Sequence, residues 1–163
     1  MPIRFSHLRS HLTFLILTFV CAASSLAFGQ TVDVEHLGGT WKVQVSLQNC
    51  ITHAPLGPPF LSMLSFSGNG TVSGTTQNPL FAPGQRTSDY GVWQRTGRST
   101  FTATSEAYIL FPAGPFVRGT QRIAQNISVE NNAFVSVATV QFFDVTNTTV
   151  LSACAVATAT RFK

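Results

Sequence analysis

Apolar and polar residues begin to alternate at Trp41, and the pattern recurs in short runs to the end of the chain. In WKVQVSL (41–47), Trp41, Val43, Val45 and Leu47 share one face, and Lys42, Gln44 and Ser46 share the other. This is the period-2 pattern of a half-buried strand. FLSMLSFS (60–67) meets TVSGTT (71–76) across Gly68-Asn69-Gly70, residue types that tolerate the backbone of a hairpin turn. YGVWQRT (90–96) turns at Gly97-Arg98 into STFTATSEAYILF (99–111), where Phe101, Ala103, Ser105, Ala107, Ile109 and Phe111 share a face. FVRGTQRIAQNISVE (116–130) places Val117, Gly119, Ile123, Ile127 and Val129 together, and Asn131-Asn132 leads into AFVSVATVQFFD (133–144). TVLSACAVATATRF (149–162) closes the series. The pattern predicts an all-β domain of eight strands, with no helix beyond a turn before Trp41 and no internal repeat.

The links between these runs predict how the strands are arranged. Links 50–59, 77–89, 112–115 and 145–148 follow strands running one way, and the tighter links 68–70, 97–98 and 131–132 follow strands running the other. Longer loops therefore gather at one end and tight turns at the opposite end. An antiparallel up-and-down meander produces this alternation, and eight strands suffice to close a sheet around a core or one small ligand. Closure implies that the first and last strands pair, so paired residue numbers should have a nearly constant sum. Trp41 with Arg161 gives 202, and Cys50 with Cys154 gives 204, the same register to within one step of the pleat. Arg161 also shares its face with Leu151, Ala153, Ala155, Ala157 and Ala159, while Cys50 and Cys154 both fall on even, outward positions.

The first 29 residues read as a secretory leader and not as part of this fold. Arg4 and Arg9 precede the charge-free run LTFLILTFVCAA (12–23), and SSLAFGQ supplies small residues for cleavage. The run is short for a membrane span, which needs roughly 20 residues. The expected domain is then 30–163, in a secreted or periplasmic protein. Of ten Lys and Arg, two leave with the leader, so eight face six Asp and Glu without a basic cluster. That distribution offers no phosphate-neutralising face and argues against a nucleic-acid partner. Of three cysteines, Cys50 and Cys154 remain, a pair expected to form one disulfide, the alternative being two buried thiols.

At this point the residues resemble the lipocalin-like calycins. DVEHLGGTW (33–41) is similar to that superfamily's opening, a short turn that closes the barrel and then Gly-x-Trp, here Gly39-Thr40-Trp41. The resemblance implies that Trp41 plugs the closed end. It further implies that Arg161 stacks on the indole and hydrogen-bonds carbonyls of the closing turn, with Gly38 and Gly39 turning tightly beneath. FSGNGTVSGT (66–75) is similar to the second hairpin of avidins, a more distant option, but only Trp41 and Trp93 are present for the tryptophan set their biotin site needs. No later lipocalin signature appears, and no helix follows the last strand.

Catalytic constellations are scarce. His36 and His53 stand apart, no H-x-x-x-H or H-E-x-x-H spacing occurs, and no Gly-x-Ser-x-Gly elbow is present. No metal or cofactor is expected. Asn69, Asn126 and Asn147 begin N-x-[ST] sequons, a pattern that arises easily in a chain rich in Asn and Thr. The inward face is more informative, because a row of alanines leaves space that large side chains would fill. Ser105, Gln121 and Gln125 stand among Ala103, Ala107, Gly119 and the alanines of the last strand. An apolar pocket with a few polar handles is the usual form of a small-molecule site. The alternative is a flattened barrel whose opposite wall fills the gap, with buried water on the glutamines. Candidate ligand-binding residues are Phe101, Ser105, Gln121, Gln125, Trp93 and Arg86, the last in a rim loop with Phe81 and Tyr90 that could act as a lid. Arg86 is either a cation for an acidic ligand or a partner of Asp89. The expected function is carriage of a small apolar or amphiphilic molecule. The alternatives are a cofactor-free isomerase or cyclase, as in allene oxide cyclase-like barrels, and an envelope interaction protein with a packed core. Glu106 or Tyr90 turned inward would favour the enzyme.

Overall fold

A computed structural model describes residues 36–163. The proposed leader lies outside the described residues, as do residues 33–35 of the turn expected to close the barrel. Eight strands follow in order: β1 (Gly39–Gln48), β2 (Phe60–Phe66), β3 (Thr71–Thr76), β4 (Asp89–Arg95), β5 (Thr100–Ile109), β6 (Gly119–Glu130), β7 (Ala133–Asp144) and β8 (Thr149–Arg161). Each strand pairs antiparallel with its neighbours in sequence, and β1 pairs with β8, so the sheet closes into a barrel. No helix occurs among the described residues. The up-and-down barrel expected from the links is therefore present, with the loops 49–59, 77–88, 110–118 and 145–148 at one end.

The closing seam has the register that the end residues predict. Trp41 lies opposite Arg161, and the ladder runs without a shift to Gln48 opposite Cys154. Cys50 has left this ladder. It sits beyond the end of β1, in a turn where Asn49 Oδ1 accepts hydrogen bonds from the amides of Ile51 (2.9 Å) and Thr52 (3.0 Å). From there it is bonded back to Cys154, with a Cα–Cα distance of 5.0 Å. The expected staple at the open rim forms, although Cys50 belongs to the loop and not to a strand face.

Two other placements differ from the alternation read in the sequence. β5 ends at Ile109, leaving Phe111 exposed, and β6 begins only at Gly119, leaving Val117 exposed in the loop. Phe116, in the same loop, folds inward and is buried. Proline and glycine in 112–115 interrupt the ladder, and once pairing stops, strand parity no longer dictates direction.

The closed end is an apolar plug. Trp41, fully buried, packs with Leu37, Phe66, Phe101, Ile127 and Phe134. Its ring lies 5.0 Å from that of Phe134, and its Nε1 donates to the carbonyl of Leu37 at 2.9 Å. The Arg161 guanidinium sits 4.3 Å over the indole centroid and donates to the carbonyls of Gly38 and His36, each at 2.5 Å. A cation over an indole face is attracted by the ring quadrupole. The arrangement implied by the Gly-x-Trp resemblance is thus present in the described part of the closing turn. Gly39 is needed here because its φ is +122° and a Cβ would come within 2.7 Å of Arg161 Nη1.

Candidate functional site

The plug occupies only the lower part of the lumen. A second apolar cluster closes the open end, built from Ile109, Phe116, Val140, Phe142 and Ala155, with Phe81 packed against it. Phe116 lies between Phe81 and Phe142, with ring centroids 4.5 and 4.7 Å away. A bulge between Phe142 and Phe143 shifts the β7–β8 register, and the two successive phenylalanines are both buried. The loop carrying Phe81 is held down by Gln85, which is fully buried. Gln85 Nε2 donates to the carbonyls of Phe111 (3.1 Å) and Ala113 (3.0 Å), and its Oε1 accepts from the amide of Ala82 (2.9 Å).

Between the two apolar layers lies a polar belt. Arg86 turns into the barrel and forms an ion pair with Asp89 at 3.0 Å, the two side chains being 4% and 5% exposed. Arg86 Nε donates to Gln121 Oε1 at 2.5 Å, and Nη1 donates to the carbonyl of Thr87 at 3.0 Å. Ser105 Oγ donates to the other Asp89 oxygen at 2.9 Å. Gly74, opposite Asp89 in the β3–β4 pair, makes room for this carboxylate: a Cβ there would stand 3.0 and 3.1 Å from its oxygens. Gln125 and Ser136 complete the belt from β6 and β7, both buried, and neither side chain has a hydrogen-bond partner in the protein.

A cavity of about 180 Å³ remains beside this belt. Its apolar wall comes from β1, β2 and β8, including Val43, Val45, Leu64, Ala153, Ala155 and Ala157. Its polar wall includes Arg86, Asp89, Ser105, Gln121, Gln125 and Ser136, and Phe81 and Phe116 lie at its mouth. The small side chains of β8 are what leave this space.

Among the residues singled out in the sequence, Arg86, Ser105, Gln121 and Gln125 therefore meet at one cavity. Phe101 and Trp93 do not line it. They pack in the plug with ring centroids 5.7 Å apart, where Trp93 Nε1 donates to the carbonyl of Ser67 at 3.0 Å. Tyr90 points outward, 70% exposed. Glu106 also points outward and pairs with Arg122 at 2.6 Å on the barrel surface. His53 lies in the exposed rim turn. Asp89 and Ser136 were not singled out as belt residues. Parity gives a signal for Asp89, since it shares a face with Gly91 and Trp93, but that signal needs β4 to begin one residue earlier than its apolar pattern suggests. For Ser136 the signal is its position among Phe134, Ala138 and Val140 on the inner face of β7. Among the described residues no three His, Cys, Asp or Glu side chains come together as a metal site. No family model matches the chain, and no curated protein matches it.

Proposed function

We propose that this protein is an exported carrier of a small apolar or amphiphilic molecule, held in the barrel lumen as in the lipocalin-like calycins it resembles. The observation that carries this reading is the cavity of about 180 Å³ flanked by Gln125 and Ser136, two buried polar side chains with no protein partner. A few polar side chains set in an apolar cavity wall are the usual handles of a small-molecule site. An engineered apolar cavity of about 150 Å³ is known to admit benzene, so a compact molecule of that order suits this one. Export is supported by the leader-like start of the chain and by the Cys50–Cys154 bridge, which suits an oxidising compartment. The Trp41–Arg161 stack at the closed end supports the calycin kinship.

Native mass spectrometry of the protein recovered from its exported fraction tests the reading. We expect a removable mass excess of one small molecule per chain and, after its removal, re-uptake from an envelope extract. Gln125→Leu should weaken uptake with little change in melting temperature. A clean apo spectrum with no uptake from the extract would overturn carriage.

A further inference from the structure

We infer that the lumen selects a neutral ligand, one that presents a hydroxyl, carbonyl or amide group to Gln125 and Ser136 and carries no formal charge. The inference rests on the carriage reading and deepens it. A single arginine lining a cavity would ordinarily suggest an anionic guest, such as a carboxylate. Here the guanidinium is already engaged on three sides, by Asp89, Gln121 and the carbonyl of Thr87. The Asp89 carboxylate is likewise occupied at both oxygens, by Arg86 and Ser105. The two charges answer one another and leave no net charge for a ligand to meet.

The groups left over are neutral. Gln125, 9% exposed, offers a carbonyl and two N–H donors, and Ser136, 5% exposed, offers a hydroxyl. Gln125 lies opposite Ala138 in the β6–β7 pair, and Ser136 lies opposite Ile127, so the two are diagonal neighbours on the inner face. A ligand group that both donates and accepts satisfies them together. A charged group entering the same space loses its hydration and finds no free counter-ion, so burial works against it.

Matched probes that share one ring make the distinction measurable. Toluene, benzyl alcohol, benzamide, benzoate and benzylammonium are titrated at pH 7 against the wild-type exported protein freed of any guest, with binding followed by ligand-detected NMR and calorimetry. We expect benzyl alcohol and benzamide to bind at least about tenfold tighter than benzoate or benzylammonium. In Gln125→Leu, benzyl alcohol should weaken several-fold while toluene holds or gains. Tightest binding by benzoate would mean that Arg86 faces the ligand, and tightest binding by benzylammonium would mean the same of Asp89. Either result overturns neutral selection while leaving carriage intact. Equal affinity across the series, or toluene above both neutral polar probes, overturns it as well. No binding by any probe overturns carriage and the inference with it.

Discussion

Asp89→Asn isolates the charge at the centre of the belt. The substitution keeps the shape of the side chain, and so its fit in the space that Gly74 leaves. It removes the counter-charge of Arg86, whose side chain is only 4% exposed. Breaking a buried ion pair by removing one partner typically costs about 3–5 kcal/mol, because the remaining charge stays desolvated. For a domain of this size that corresponds to a fall in Tm of roughly 10–20 °C. Arg86→Met should cost a similar amount, since it strands Asp89 in the same way and also frees Gln121 Oε1. The double variant has no unpaired charge and should lose far less than the two singles together, with a coupling of about 2 kcal/mol or more. Urea unfolding gives the energies, and constant m-values confirm that the variants unfold from the same compact state. The losses should persist at high salt, because buried pairs are little screened. A loss below about 1 kcal/mol for Asp89→Asn, abolished by salt, is the behaviour of a surface pair. That result would refute a closed belt and the neutral lumen argued from it.

At the closed end, Trp41→Ala removes a fully buried indole and should cost about 3–5 kcal/mol. Arg161→Ala should cost about 1–2 kcal/mol, with measurable coupling in a double-mutant cycle; a thermally silent Trp41→Ala that abolished ligand uptake would place the ligand at the wrong end of the barrel. Replacing Cys50 and Cys154 by serine opens a loop spanning a sequence separation of 104 and should cost about 2–4 kcal/mol in chemical denaturation, with peptide mapping of the wild type showing the bridge. Asp144 Oδ1 accepts from the Thr146 hydroxyl (2.7 Å) and from the amides of Thr146 (2.8 Å) and Thr148 (3.0 Å). The Thr146 side-chain bond first, then the backbone bonds, hold its pKa below the ordinary 3.8. Because the folded pKa is the lower one, this turn's contribution is complete above about pH 4 and is lost as pH falls through the folded value. A carboxyl-carbon NMR titration should inflect below 3.8 for Asp144, and an inflection above it would contradict the geometry.

The alternation of residues by itself determined the strands, their faces and their connection as a meander, because a pleat with one buried face writes a period of two into the chain. The end residues pointed to the closing register too, since Trp41 with Arg161 and Cys50 with Cys154 give nearly one sum, and the Trp41–Arg161 pairing holds in the β1–β8 ladder. Cys50 was legible as the start of a link and as the partner of Cys154, but its departure from the parity of β1 was not, because the bridge fixes the distance between two residues and not the backbone that spans it. The lumen is where the sequence stopped being sufficient. Ser105, Gln121 and Gln125 lie on regular strands, and their inward direction follows from parity alone. Arg86, Phe81 and Phe116 lie in loops, where no period sets direction, and only the packed barrel turned the first toward Asp89 and the others over the mouth. Whether the space beside the alanines of β8 stays open was likewise a tertiary outcome. It depends on how far the opposite wall and the aromatic cap can approach, and that distance is set by the packing of all eight strands at once.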